Sequence, residues 1–238
     1  MTAPALLAIA HGTDSVEGRA LVGGLVAAIR ARVPATRGGH VDVLQPDVPT
    51  VLGKLPAGTP AVIVPLLLSA GYHVRVDLAE AAAAADRDVA VAGALGPDDG
   101  LVALLARRLD EAGAVETDEL VLAAAGSSDP DAVEDCRDTA ARLAARLGRP
   151  VRIGFLSAAK PTLRTAVREA HASGRRVVVA TYLLAPGYFL GLVEAAGADV
   201  VARPLLDAGP VPAELVDAAV ARYEAALVPR PLTTSTPA

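Results

Sequence analysis

Val62-Ile-Val-Pro-Leu-Leu-Leu-Ser-Ala-Gly71-Tyr72-His73 returns 116 residues later as Val178-Val-Ala-Thr-Tyr-Leu-Leu-Ala-Pro-Gly187-Tyr188-Phe189. Each stretch is a long apolar run that breaks at a glycine, with Leu-Leu-x-x-Gly-Tyr common to both. A run of that kind without polar alternation fits a strand covered by helices on both faces, the habit of parallel sheets. Two further segments repeat in the same order. Leu7-Ala-Ile-Ala-His11-Gly12-Thr13 matches Val121-Leu-Ala-Ala-Ala125-Gly126-Ser127 at an offset of 114, and Val43 through Gln45 to Pro49 matches Phe155 through Ser157 to Pro161 at an offset of 112. Three ordered matches at nearly constant offset imply two similar domains of ordinary size, residues 1–114 and 115–228, joined near Ala114 to Thr117. Residues 229–238, polar and proline-rich, are expected to form a disordered tail.

Working outward, the aliphatic runs predict eight strands: Ala5 to Ala10, Val41 to Leu44, Ala61 to Leu68, Val89 to Ala92, Leu120 to Ala124, Val151 to Leu156, Val177 to Leu184 and Val200 to Ala202. Ala-rich stretches between them predict helices over Ser15 to Val33, Pro97 to Ala112, Pro130 to Leu147 and Pro212 to Leu227, several opening on Ser, Asp or Pro. The fold class that follows is α/β, each domain a parallel sheet flanked by helices.

Composition narrows the partners. Aromatic residues make up 3% of the 238 and Trp is absent, so the core is aliphatic and offers little surface for stacking bases. A net charge of -5, without long like-charge blocks, argues against nucleic acid as a partner. The longest uncharged stretch, Leu55 to Val74, is interrupted by Pro56, Gly58, Pro60, Pro65 and Gly71, which suits a loop and a buried strand rather than a membrane span. A single cysteine, Cys136, cannot close an intrachain disulfide, and no secretory pattern opens the sequence; the expected address is the cytoplasm. No P-loop, G-x-S-x-G or G-x-G-x-x-G is present.

Ligands of open α/β sheets bind beyond the carboxyl ends of the strands. His11 follows the first strand and His73 lies just past the third, so both reach one rim. The repeat places Ala125 and Phe189 at the matching positions, so the scaffold itself does not require either imidazole. Two such imidazoles suit a divalent metal such as Fe(II), Co(II), Ni(II) or Zn(II), or proton transfer near neutral pH. Asp77, four residues past His73, shares a helix face with it if a helix starts there, and either orients His73 or simply charges a helix's first turn; Asp14 is the other nearby carboxylate. Gly12-Thr13-Asp14-Ser15 and Gly126-Ser127-Ser128-Asp129 each join a strand to a helix, so they cradle an anion or cap the helix. His40, placed at the start of the second strand, and His171, at a helix end, are read as ordinary residues, and Cys136 as inert.

Taken together, the residues resemble the class II tetrapyrrole chelatases, which include sirohydrochlorin ferrochelatase and the anaerobic cobaltochelatases. The pattern of that family is a strand leading to His-Gly-Ser, a Glu four residues before a Pro, Leu-Leu-x-x-Gly-Tyr-His with a downstream Asp, and an apolar strand leading to Leu-Gly. Here it reads His11-Gly12-Thr13, Gln45 to Pro49, Leu67-Leu68-Ser69-Ala70-Gly71-Tyr72-His73 with Asp77, and Leu95-Gly96. The resemblance covers essentially the whole chain and implies two tandem domains with a cleft between them, working as a monomer. It implies ATP-independent insertion of a divalent metal (Fe2+, Co2+ or Ni2+, as substrate, with no organic cofactor) into sirohydrochlorin or a related tetrapyrrole, for siroheme or cobalamin synthesis. His11 and His73 are then metal ligands or proton acceptors. Thr13, Tyr72, Arg75, Gly126, Ser127 and Ser128 are substrate-binding candidates, the last four because the substrate's carboxylates need cationic or N–H partners. The family's Glu is replaced by Gln45, which accepts a hydrogen bond but holds no proton; Asp47 replaces it only if the strand has ended by then. Two other readings stand beside this one. A chelatase-like protein that binds metal or tetrapyrrole without turnover is favoured by Gln45, and a histidine phosphatase by the strand-His11-Gly12 junction, although Ala10 stands where that class has Arg.

Overall fold

The computed structural model describes residues 3–41, 44–69 and 71–228, without the side chains of Tyr72, His73 and Val74. Two all-parallel four-stranded sheets carry the chain. In the first, β1 (Ala5–Ala10), β2 (Arg37–His40), β3 (Ala61–Pro65) and β4 (Val89–Val91) lie in the order β2-β1-β3-β4. In the second, β5 (Glu119–Ala124), β6 (Val151–Phe155), β7 (Val177–Tyr182) and β8 (Val200–Val201) lie in the order β6-β5-β7-β8. Ala5 pairs with Ala61 and Glu119 with Val177, so the 114 and 116 offsets hold in the strand register.

Helices α1 (Val16–Arg32), α2 (Val48–Gly53), α3 (Tyr72–Ala83) and α4 (Asp99–Glu111) follow the strands of the first half, and α5 (Pro130–Leu147), α6 (Leu163–His171), α7 (Tyr188–Glu194) and α8 (Ala213–Leu227) those of the second. Side chains alternate along the central strands between two buried faces. Ala5, Leu7 and Ile9 face an outer cluster under α2 and α3, while Leu6, Ala8 and Ala10 face an inner core. The second sheet does the same, with Val121 and Ala123 outward and Leu120, Leu122 and Ala124 inward.

The inner core belongs to both halves at once. Helix α4 leaves the first sheet and packs on β7 and α5, and α8 packs on β3 and α1, so each sheet is covered on its inner face by the last helix of the other half. Leu101, Leu104, Leu105 and Leu109 of α4 and Leu215, Val216, Ala219 and Tyr223 of α8 are buried in this layer. The guanidinium of Arg222 on α8 donates to the carbonyls of Ala94 (2.6 Å), Leu95 (3.0 Å) and Pro97 (3.1 Å) in the first half, and the Tyr223 hydroxyl donates to Pro4 O (2.7 Å).

The strand expected at Val41 to Leu44 is a misplacement. The second strand is Arg37–His40, and Asp42 and Val43 lie outside the described residues. Its Gly38-Gly39 centre has no apolar signature, since the filling comes from neighbours: a side chain on Gly38 would meet Val26, and one on Gly39 would meet Val51 and Ile9 within 3 Å. His40 therefore ends the strand instead of beginning it. The repeat offset changes too. Ala10 pairs with His40 as Ala124 pairs with Phe155, and the bridges His40 to Asp47 and Phe155 to Thr162 correspond, so the halves superpose here at 115 residues rather than 112. The tail expected over 229–238 falls outside the described residues. Among the described residues no helix is long and apolar enough to cross a membrane, and Leu55 to Val74 resolves into a loop, β3 and the start of α3.

Candidate metal and tetrapyrrole cleft

The carboxyl ends of the two sheets face one another across a cleft of about 800 Å3. That is at the upper end of ordinary small-molecule sites and lies where open parallel sheets bind ligands. One wall starts at Ala10, where β1 ends and the chain turns through His11 and Gly12 at a positive φ of 103°. The opposite wall turns in the same way through Ala125 and Gly126 at φ 88°, where a Cβ would come within 2.1 Å of Ser157 O. Glycine at these turns lets the loop fold back over the strand end.

The loops after the central strands clasp across the cleft in a two-fold manner. An added Cβ on Gly71 would meet Ser127 Oγ at 2.8 Å, and one on Gly187 would meet Thr13 Oγ1 at 3.3 Å; Gly71 and Gly187 are repeat partners, as are Thr13 and Ser127. Thr13 Oγ1 accepts from the Ser15 N–H (3.2 Å) and Ser127 Oγ from the Asp129 N–H (3.0 Å). Each hydroxyl thus serves as a turn acceptor and keeps its own proton to donate toward the cleft. Helices α1 and α5 begin directly behind, capped by Ser15 on Gly18 N–H (3.1 Å) and by Asp129 on Asp131 N–H (3.0 Å). Capping thus falls to Ser15 and Asp129, while Thr13 and Ser127 line the cleft.

Of the residues singled out in the sequence as site candidates, His11, Thr13, Asp14, Gly126 and Ser127 line the cleft together. Tyr72 and His73 open α3, but their side chains lie outside the described residues. Asp77 is exposed on α3, one turn beyond His73. Ser128 does not line the cleft. Arg75 faces a separate depression behind α3, where it donates to Asp129 (2.7 Å) and lies 3.5 Å from Asp131. Gln45 is exposed and absent from the cleft lining; its side chain is closed on Asp47, donating to Oδ2 (3.2 Å) and accepting from the Asp47 N–H (3.1 Å). The strand has ended before Asp47, yet that carboxylate caps α2 by accepting from Thr50 N–H (2.9 Å), and its bonds from Thr50 and then Gln45 hold it below its ordinary pKa.

Sequence reasoning missed several cleft residues. His40 lines the cleft at the end of β2, and its Nδ1 is buried with no hydrogen-bond partner among the described residues. Arg19, one turn into α1, lines it too, steadied by Thr13 O and Asp14 O (both 3.2 Å). Tyr188 of the second half is 79% exposed beside Phe189, next to the contact of Gly187 with Thr13. Cys136 closes the floor near Ser69, its thiol pushed up in pKa by burial. Tyr182, also on the floor, donates to Leu68 O (3.2 Å), and burial raises its hydroxyl pKa. His171 lies elsewhere, at the end of α6, with Nε2 3.1 Å from Gly197 O.

A model of the CbiX family matches residues 5–112 and 119–201. Among solved structures, SirB from Bacillus subtilis, determined with Fe3+, superposes at a TM-score of 0.76 with 21% identity, covering 95% of this chain and 96% of SirB. CbiX, described as the terminal enzyme for siroheme biosynthesis in denitrifying bacteria, gives 0.68 at 23% identity, covering 94% of this chain and 100% of that one. DR2241 from Deinococcus radiodurans, which carries two additional domains, gives 0.64 at 20%, covering 93% of this chain and 54% of its own. At these identities the superpositions show a shared fold. No curated protein sequence matches this one. With two parallel sheets closing on one cleft and the family's model matching both halves, the chain belongs to the CbiX family, the class II tetrapyrrole chelatases.

Proposed function

We propose that this protein inserts a divalent metal, Fe2+ or Co2+, into sirohydrochlorin or a closely related modified tetrapyrrole, without ATP. The observation that carries the reading is the unequal chemistry of a symmetric cleft. The first half presents His11 at the end of β1, whereas the second presents Ala125 at the matching place and Phe189 and Tyr188 beyond it. One wall offers nitrogen lone pairs and the other an apolar, aromatic surface against which a flat macrocycle can lie.

Insertion requires that two pyrrole N–H protons leave as the metal passes to the ring nitrogens. Imidazoles suit both tasks, since they bind borderline metals without the grip of a closed site and accept protons near neutral pH. We assign these roles to His11 and His73. The substrate's peripheral carboxylates find the Arg19 guanidinium and the Thr13 and Ser127 hydroxyls around the cleft, and this position supports Arg19, in preference to Arg75, as the carboxylate partner.

Anaerobic incubation with sirohydrochlorin and Fe2+, Co2+ or Ni2+ in turn, followed by absorbance, tests the proposal. Insertion is expected with at least one metal, and His11→Ala and His73→Ala are each expected to remove most of it without loss of fold. Absence of insertion with every metal, or near-normal rates in both variants, overturns the reading. Arg19→Ala is expected to raise KM for the tetrapyrrole more than it lowers kcat, the signature of a group that binds substrate and transition state alike.

A further inference from the structure

We propose that His40 is a ligand for the incoming divalent metal, on the same cleft that His11 lines. The inference rests on the chelatase reading for its purpose, but its geometry is independent of that reading. Ala10 and His40 are register partners at the ends of β1 and β2, and the Val41 N–H still donates to Ala10 O (2.9 Å), so the ring stands next to the residue that precedes His11. Both rings line the same cleft.

Three features set His40 apart from a packing residue. Its Nδ1 is buried and unpartnered among the described residues, and an unmet buried polar atom of this sort is destabilising unless a ligand meets it. A half-turn about Cβ–Cγ exchanges Nδ1 with Cδ2 and brings that nitrogen to another side of the ring. The corresponding residue of the second half, at the 115-residue offset that the strand register defines, is Phe155, which is 1% exposed and wholly apolar. The fold therefore accepts a hydrophobic ring at this position, and the imidazole answers some other requirement. Finally, the pattern is complete: His11, His40 and His73 of the first half face Ala125, Phe155 and Phe189 of the second, so the three histidines at this rim all lack a counterpart.

Gln45 strengthens the assignment. It brings no carboxylate, and its side chain is closed on Asp47 outside the cleft. Among the described residues no three His, Cys, Asp or Glu side chains are gathered as a closed metal site. A metal bound through an imidazole of this cleft keeps open positions, which a site that must release its ion to four ring nitrogens needs. Neutral imidazoles also favour the borderline ions Fe2+, Co2+ and Ni2+ over Mg2+ or Ca2+.

The test is Co2+ binding to the full chain under anaerobic conditions without tetrapyrrole, read by calorimetry and by the visible absorbance of the bound ion. His40→Phe, which installs the second half's own residue, and His40→Ala are each expected to weaken binding by about 10- to 100-fold. His171→Ala is expected to bind as the natural protein does. On the unaltered protein, ring resonances of His40 should shift or broaden on adding Co2+, a readout that needs no variant to fold. Undiminished affinity in a folded His40→Phe protein, or unperturbed His40 resonances at saturating Co2+, overturns the proposal. Binding that depends on His40 in a protein that inserts no metal sustains this inference and defeats the chelatase reading, whereas insertion with His40-independent binding does the reverse.

Discussion

His40 lies on the cleft lining and Gln45 outside it, bonded to Asp47. Gln45 sits where a family glutamate is expected, but the structure ties it to Asp47 at the exposed start of α2. Gln45→Glu is therefore expected to change the insertion rate far less than the roughly 10²-fold that a general base contributes; an increase of that size would show that position 45 reaches the reacting centre. Asp47 has a structural duty. Its carboxyl is held below 3.8 by Thr50 first and then Gln45, so the folded state prefers the ionised form, and the contribution to stability is present at neutral pH and lost as the pH falls through the depressed value. Melting temperatures of the natural protein and Asp47→Asn should differ at pH 7 and converge as the pH is taken below 3.8. His11, Thr13, Gly126 and Ser127 were legible because each follows an obvious strand. His40 was not, because Gly38-Gly39 hides its strand and the 112-residue alignment set the wrong residues opposite one another. Arg19 was hidden because no sequence pattern shows which way a guanidinium on α1 points.

At the level of elements, continuous aliphatic runs located seven of the eight strands, and Pro130 to Leu147 matches α5 at both ends. Short helices fared worse. α2, with six residues, and α7, with seven, lack the length for a periodic signal and exist through packing against their sheets. The exchange of α4 and α8 was invisible, since an apolar helix face does not state which sheet it will cover. Arg222 makes the exchange specific by gripping three carbonyls of the opposite half. Arg222→Ala is expected to destabilise the protein by about 2 kcal/mol in denaturant titration, since bonds from a charged donor are lost and the carbonyls are left partly unmet. Arg222→Lys should recover only a fraction, because an ammonium lacks the planar fork. Full stability in the alanine variant would mean that these carbonyls are met by other donors.

Across the whole molecule, the sequence repeat and the packed lobes do not coincide. Residues 1–114 alone would carry α4 with Leu101, Leu105 and Leu109 exposed and would leave the β3 face that α8 covers bare. Expressed separately, the two sequence halves should fail to form folded monomers, and expressed together they should assemble into one particle with the circular dichroism of the intact chain. A cooperative melt from monomeric residues 1–114 would refute this. Unfolding of the intact chain should be a single transition by near- and far-ultraviolet probes, because neither sheet keeps its inner cover if the other melts.

The crossed helices also bear on how a substrate gets in. Clamshell proteins admit ligands by swinging two lobes about a hinge. Here such a swing would pull α4 from β7 and α8 from β3, at about 25 cal/mol for every Å2 of apolar surface laid bare. Entry is therefore expected to depend on side-chain movement at the cleft, where Tyr188 is 79% exposed while Arg19 is held by Thr13 O and Asp14 O. A flat ring is then expected to enter edge-on, like a letter through a slot, and a substrate with bulk above or below its plane to be bound less well.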